Sequence, residues 1–220
     1  WNPNLLNNPI IKTCSGKDGS GDLYKLHNIV EFINNCGKTS CSLVTADGGF
    51  DYTKDFEQEL SSYKLLYSEI MIALNIQAVN GTFVCKMFDL FWYSTIQLIY
   101  VLYISYESIS FIKPSTSRAS NSEKYIVCRG FKGYNKELSN LFCQNFGKDK
   151  LPIVISDKFL DILNQYNTQF VKNQILRINN TLKLISERRI LDKPTKSQIK
   201  LAKEWCIKYE IPINKYCYYL

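Results

Sequence analysis

The chain has 220 residues and a mass of 25.5 kDa, room for one sizeable α/β domain or a domain with an appendage, and too little for two full enzyme cores. Apolar residues make up 45% and charged ones 21%, close to the globular average, which excludes wholesale disorder and collagen-like or low-complexity architecture. A formal charge of +7, from 27 basic and 20 acidic side chains, favours a polyanionic partner such as RNA without establishing one.

Residues 1–25 are rich in Asn, Gly and Ser and read as loop, with Gly16, Gly19 and Gly21 supplying permissive backbone. Asn28 to Cys36 places Ile29, Phe32 and Ile33 at helical spacing, and Cys41 to Ala46 is a short apolar run closed by Asp47-Gly48-Gly49. That order predicts helix, buried strand and turn. Lys54 to Val79 is long and periodic: Leu65, Tyr67, Ile70, Met71, Leu74 and Ala78 form an apolar face, and Asn80-Gly81 is the expected C-terminal stop. Strands are predicted over Thr82 to Phe88, Ser108 to Lys113 and Lys124 to Phe131, and helices over Trp92 to Tyr106 and Asn135 to Phe146. Leu90 to Tyr106 runs for 17 residues without a charge, but Ser94, Thr95, Gln97 and Ser105 favour a buried helix over a membrane span. Strands alternating with helices predict a mostly parallel sheet covered on both faces, with ligands outside the carboxyl ends of its strands.

After Pro152 the pattern changes. Phe159, Leu163, Tyr166, Phe170, Val171, Ile175, Ile178, Leu182 and Ile185 recur at three and four spacings with no strand between them, and Lys196 to Tyr209 forms a second helix between Pro194 and Pro212. The expected division is therefore an α/β core over residues 1–150 and a helical appendage over 151–220. The charge is uneven: residues 1–148 hold 14 basic and 13 acidic groups, and 149–220 hold 13 and 7. The appendage, through Arg177, Lys183, Arg188 and Arg189, is expected to attract a polyanion and offers its helices to a protein partner.

Eight cysteines with no CxxC pair, and His27 as the lone histidine, argue against a zinc site or any other metal. Cys85 and Cys128 fall inside apolar strand runs, so the cysteines read as intracellular thiols. The chain starts at Trp1 without a signal-peptide pattern.

Three charged residues stand where a sheet enzyme places its site. Asp47 closes a strand, Glu123 directly precedes one, and Lys86 lies within TFVCKMF, whose other members describe a buried strand. Each has an ordinary reading as a turn or edge residue, but a buried ammonium needs carboxylates or a task, and Asp47 and Glu123 are the natural candidates.

The blocks ADGGFD (46–51), GTFVCKMFDLF (81–91) and KPSTSRASNSEKYIVCRG (113–130), in that order, resemble the FtsJ (RrmJ-type) class of Rossmann-fold methyltransferases. They are most similar to the cap-specific mRNA (nucleoside-2′-O)-methyltransferases of eukaryotes and large DNA viruses, over roughly residues 16 to 133. The resemblance implies a Rossmann-like sheet using S-adenosylmethionine to methylate a ribose in capped RNA, giving cap-1. Of the family's Lys-Asp-Lys-Glu tetrad, the last three members fall on Asp47, Lys86 and Glu123, which are the expected catalytic residues. The run Gly19-Ser20-Gly21-Asp22-Leu23 is similar to the family's acidic cofactor loop, making Asp22, with Asp47, a cofactor contact. Ser117, Arg118 and Asn121 precede Glu123 at the rim of the expected site and are the expected RNA contacts.

The family's first tetrad lysine and its glycine-rich loop would lie upstream of Trp1, so the chain is expected to be the C-terminal part of a longer enzyme whose N-terminal part completes the cofactor pocket. Gly37-Lys38-Thr39 is no phosphate loop, because Phe32 stands where its first glycine is needed. Two other readings stand beside this one: a catalytically inactive RNA-binding or assembly subunit of the same fold, and an enzyme acting on ribosomal or transfer RNA. The expected location is intracellular, cytoplasmic for a large DNA virus and nuclear for a cellular protein.

Overall fold

The structure, a computed structural model, describes residues 8–49, 58–187 and 193–217. Phe50, Asp51, the first residues of the Lys54 to Val79 run, and Arg188 and Arg189 lie outside the described residues. The chain divides into two compact units, Trp1–Val171 and Lys172–Leu220. The described residues form, in order, α1 (Leu26–Cys36), β1 (Cys41–Ala46), α2 (Gln58–Ile76), β2 (Gln77–Met87), α3 (Tyr93–Ser105), β3 (Tyr106–Ile112), β4 (Lys124–Phe131), α4 (Lys136–Gln144), α5 (Asp157–Ser186) and α6 (Lys196–Lys208).

The α/β class is as expected, but the sheet is not mostly parallel. Its order is β1-β2-β4-β3, and only β1 and β2 pair in parallel; β4 runs antiparallel to both neighbours. Crossover helices α2 and α3 link strands of one direction, and β4 then returns between β2 and β3. The link from Lys113 to Glu123 contains no crossover helix, so β4 has to come back antiparallel beside β3. Coverage is also one-sided among the described residues. Phe83, Cys85, Ile126 and Cys128 are fully buried on one face, whereas Val84, Lys86, Tyr125 and Val127, on the other, are only partly covered.

Asn80-Gly81 does not stop a helix. Helix α2 ends at Ile76 and passes directly into β2, with its last carbonyls, those of Asn75 and Ile76, accepting from the backbone N–H groups of Thr39 and Ser40. The register slips between Cys41↔Gln77 and Leu43↔Thr82, and Asn80, at φ 63°, carries the resulting bulge. The Gln77 carboxamide fills the gap: it donates to the Ser42 and Thr82 carbonyls and accepts from the Tyr106 hydroxyl at 2.9 Å. Tertiary bonds thus replace the cap that the sequence pattern implied.

The charge-free run forms the buried helix α3. Glu59 accepts N–H bonds from Phe91 and Trp92 at its start, where a carboxylate complements the helix dipole. Gln97 donates to the carbonyls of Leu151 and Ile153 and accepts from the Leu151 N–H. Among the described residues no helix is long and apolar enough to cross a membrane.

The first unit runs past residue 150 because Leu151, Ile155, Phe159 and Leu163 are buried in its core, each contributing roughly 1.5–3 kcal/mol of burial for the larger side chains. Tyr166 stacks on Phe111 at 4.5 Å, and the Asn167 amide donates to the Leu90 carbonyl at 2.7 Å. In the second unit α6 opens on a capping box formed by Thr195 and Gln198 and buries no side chain.

Candidate active site

Three separate segments meet at one end of the sheet. Asp47 follows the last residue of β1; parallel pairing of Ala46 with Cys85 sets Lys86 at the same end of β2; and the antiparallel strand β4 begins there, with Tyr125 opposite Lys86. Glu123 precedes β4 by one residue. The Lys86 Nζ pairs directly with the Asp47 carboxylate, the lysine side chain 17% exposed and the aspartate 57%. The lysine side chain is therefore mostly covered, on the more open face of the sheet, and its carboxylate partner is the more exposed of the two. The Tyr125 hydroxyl stands 3.5 Å from the other Asp47 oxygen. Burial, then the charges of Asp47 and Glu123, push this hydroxyl above the usual tyrosine range, so it is a neutral donor at physiological pH.

Glu123 Oε1 accepts from the Ser117 hydroxyl at 2.7 Å. Ser117 and Asn121 both turn inward to the loop, Asn121 toward the Lys113 ammonium, while Arg118 is exposed. Of the three expected RNA contacts, Arg118 is the one whose side chain is presented outward.

Asp22 lies on a loop built around two other residues. Asn28 is buried and donates to Asp18, to the Ser20 hydroxyl and to the Asp22 carbonyl. Asp18 accepts from Lys25 and from the N–H and hydroxyl of Ser20, which hold its carboxyl far below the usual range. The Asp22 carboxylate accepts from the Tyr24 N–H at 2.8 Å and stays partly exposed. Gly19 and Gly21 have positive φ and no neighbour within 4 Å of where a Cβ would stand, leaving the loop backbone approachable. The Leu23 carbonyl accepts from Ser68, which ties this loop to α2.

Next to Ser68 is a residue that sequence reasoning missed. Glu69 is buried, its Oε1 accepting the Gly48 N–H at 2.9 Å and its Oε2 facing the Cys85 thiol at 3.5 Å. Burial raises its pKa, opposed by the Gly48 and Cys85 bonds and by Lys86. Glu69 thus fixes from below the turn that carries Asp47. The available signal was a lone carboxylate in the apolar run SEIMIAL, where a buried acid requires named donors.

The description "FtsJ-like methyltransferase" matches residues 3–131, more than half of the chain. The cap-specific mRNA (nucleoside-2′-O-)-methyltransferase 1 of Mus musculus is 39% identical over 148 residues, 64% of this chain and 18% of that protein. Its Homo sapiens counterpart is 38% identical over the same shares. The protein of the same name from Trypanosoma brucei brucei is 37% identical over 149 residues, 64% of this chain and 40% of its own length. The chain thus matches about a fifth of the mammalian relatives and two-fifths of the trypanosomal one.

Proposed function

The chain belongs to the FtsJ-like methyltransferase family, and we propose that it carries the acceptor side of a site that methylates the ribose 2′-hydroxyl of capped mRNA, forming cap-1. The observation that supports this most is the Asp47–Lys86 pair at the strand ends, with its cation mostly covered and its anion exposed. The substrate class follows the relatives' names.

Methyl transfer to a 2′-hydroxyl is an in-line displacement by a weakly acidic, poorly nucleophilic group. Orientation and electrostatic stabilisation are therefore what a protein can add. Lys86, donating from the floor of the site, orients the 2′-oxygen and assists loss of its proton. Pairing with Asp47 favours the charged lysine, so its main work is to hold the hydroxyl and neutralise the negative charge that develops on its oxygen. Glu123, fixed by Ser117, and Asp47 hold the lysine in its place. Arg118 contacts phosphate or ribose on the rim.

S-adenosylmethionine supplies an electrophilic methyl group on a sulfonium. The donor set suits a cationic group with ribose hydroxyls: the carboxylates of Asp22 and Asp47 are exposed or half-exposed, beside the open backbone of Gly19 and Gly21. Asp22 and Asp47 are the residues of this chain that would hold it.

The test is methyl incorporation by the full-length protein from labelled S-adenosylmethionine into a cap-0 RNA and the same RNA without a cap, followed by nuclease mapping. Label on the 2′-oxygen of the first nucleotide of capped RNA alone is expected. Equal labelling of both RNAs would assign another RNA substrate, and RNA binding without any labelling would make the protein a silent binding subunit.

A further inference from the structure

Glu123 is held by more than its own strand. Lys113, the residue after β3, sends its ammonium into the loop that leads to Glu123, where four acceptors converge on it: the Ser117 hydroxyl at 3.1 Å, the Asn121 carbonyl at 3.0 Å, the Asn121 side-chain oxygen, and the Glu123 carbonyl at 2.6 Å. The Ser117 hydroxyl that receives one of these bonds in turn donates a hydrogen bond to Glu123 Oε1 at 2.7 Å. Lys113 therefore reaches Glu123 twice, at the backbone directly and at the carboxylate through Ser117.

The loop spans residues 113–123. Its internal backbone bonds among the described residues are two turns, Ser117 N–H to the Pro114 carbonyl and Asn121 N–H to the Arg118 carbonyl. The lysine is anchored from outside the loop, because Ile112 beside it pairs with Tyr125, and Tyr125 pairs with Lys86. A partly buried ammonium with all its donors engaged is a rigid centre around which eleven residues can close.

We propose that Lys113 is a positioning residue for methyl transfer, folding the 113–123 loop so that Ser117 aims the Glu123 carboxylate at the Asp47–Lys86 pair; this rests on the reading of Glu123 as part of the site. Displacing a reacting group by about 1 Å costs roughly a hundredfold in rate, which sets the scale of the effect.

The experiment is a mutant cycle in the full-length protein, reading single-turnover methyl transfer to capped RNA at saturating S-adenosylmethionine. Lys113→Met is expected to lower the rate about 10- to 100-fold and Ser117→Ala about 10-fold, with cofactor affinity unchanged. Ser117→Thr, which keeps the hydroxyl, is expected to restore most of the rate. In a Glu123→Gln background, Lys113→Met and Ser117→Ala are expected to cost less than about twofold more, because both act through Glu123. Losses that multiply in full in that background, or near wild-type rates in both single variants, would overturn the proposal. If Glu123→Gln is inert or Lys113→Met does not fold, Ser117→Ala against Ser117→Thr decides: equal rates would overturn it. Wild-type turnover by Glu123→Gln alone would instead remove Glu123 from the site, and the underlying reading would be what failed.

Discussion

Replacing Lys124 with methionine should make the protein more stable, and the gain should depend on pH. Lys124 opens β4 and is 1% exposed. Its ammonium meets the Ser122 carbonyl at a long 3.4 Å and the Phe170 ring at 4.2 Å, and among the described residues it forms no ion pair within 4 Å. Burial pushes its pKa from 10.5 down to about 8, against the pull of Asp89 and Glu59. The folded value lies below the unfolded one, so the unfolded chain binds this proton more tightly. The cost to stability is full below about pH 8 and disappears as pH rises to about 10.5. At about 1.4 kcal/mol for each tenfold change in proton affinity, that cost is on the order of 3 kcal/mol. Methionine keeps an unbranched chain in the same space but forfeits the attraction to Phe170, about 0.5–2 kcal/mol. The expected net gain for Lys124→Met is about 1–2 kcal/mol at pH 7, shrinking toward zero or below by pH 10. Urea titrations of both proteins at the two pH values measure it. A variant less stable at pH 7, or a difference of the same size at both pH values, would refute the reasoning.

Gly48→Ala tests the support of the turn that carries Asp47. A Cβ there would stand 2.6 Å from Glu69 Oε1 and 2.9 Å from a Leu65 methyl, and both neighbours are buried. The expected result is a loss of about 1–3 kcal/mol in unfolding free energy with a lower methyl-transfer rate; wild-type values for both would show that the turn moves freely. Replacing Arg177, Lys183, Arg188 and Arg189 with glutamine should weaken RNA binding and reduce the slope of log affinity against log salt by up to about 3, at roughly 0.7 for each single-stranded phosphate contact. An unchanged slope, from binding titrations between low and moderate salt, would reduce that charge to solubility.

Periodicity made most of the fold legible, because helices such as α1 and the central strands present one face to the core and the apolar residues record it. Strand direction was not recorded. The βα alternation up to β3 implied a parallel sheet, and what reversed β4 was a link without a helix, whose consequence depends on which gap in the sheet stands open. Asn80-Gly81 misled for a related reason: the same residues that stop a helix also suit a bulge, and the carboxamide of Gln77 decided between the two.

At the site, Asp47 and Lys86 were legible because a charge at the end or in the middle of an apolar strand is conspicuous, and the structure joins them. Glu69 was concealed in a helical run, since its partners are a backbone N–H twenty-one residues earlier and the Cys85 thiol on a neighbouring strand. Ser117 and Asn121 were visible as polar loop residues, but their side chains turn inward to Glu123 and Lys113, a choice that depends on where Lys113 sits. Residue type announces that a group can bond; only the fold decides to what.

The central claim is that Lys86 acts on the 2′-hydroxyl while paired with Asp47. The direct measurement compares full-length wild type with Lys86→Ala and Lys86→Arg, reading S-adenosylmethionine affinity by calorimetry and methyl transfer to cap-0 RNA in single turnovers. Both variants are expected to bind the cofactor about as well as wild type and to transfer methyl at rates at least about 10²–10³-fold lower, the range for losing a donor that stabilises charge developing on an oxygen. Wild-type transfer by either variant would contradict the claim.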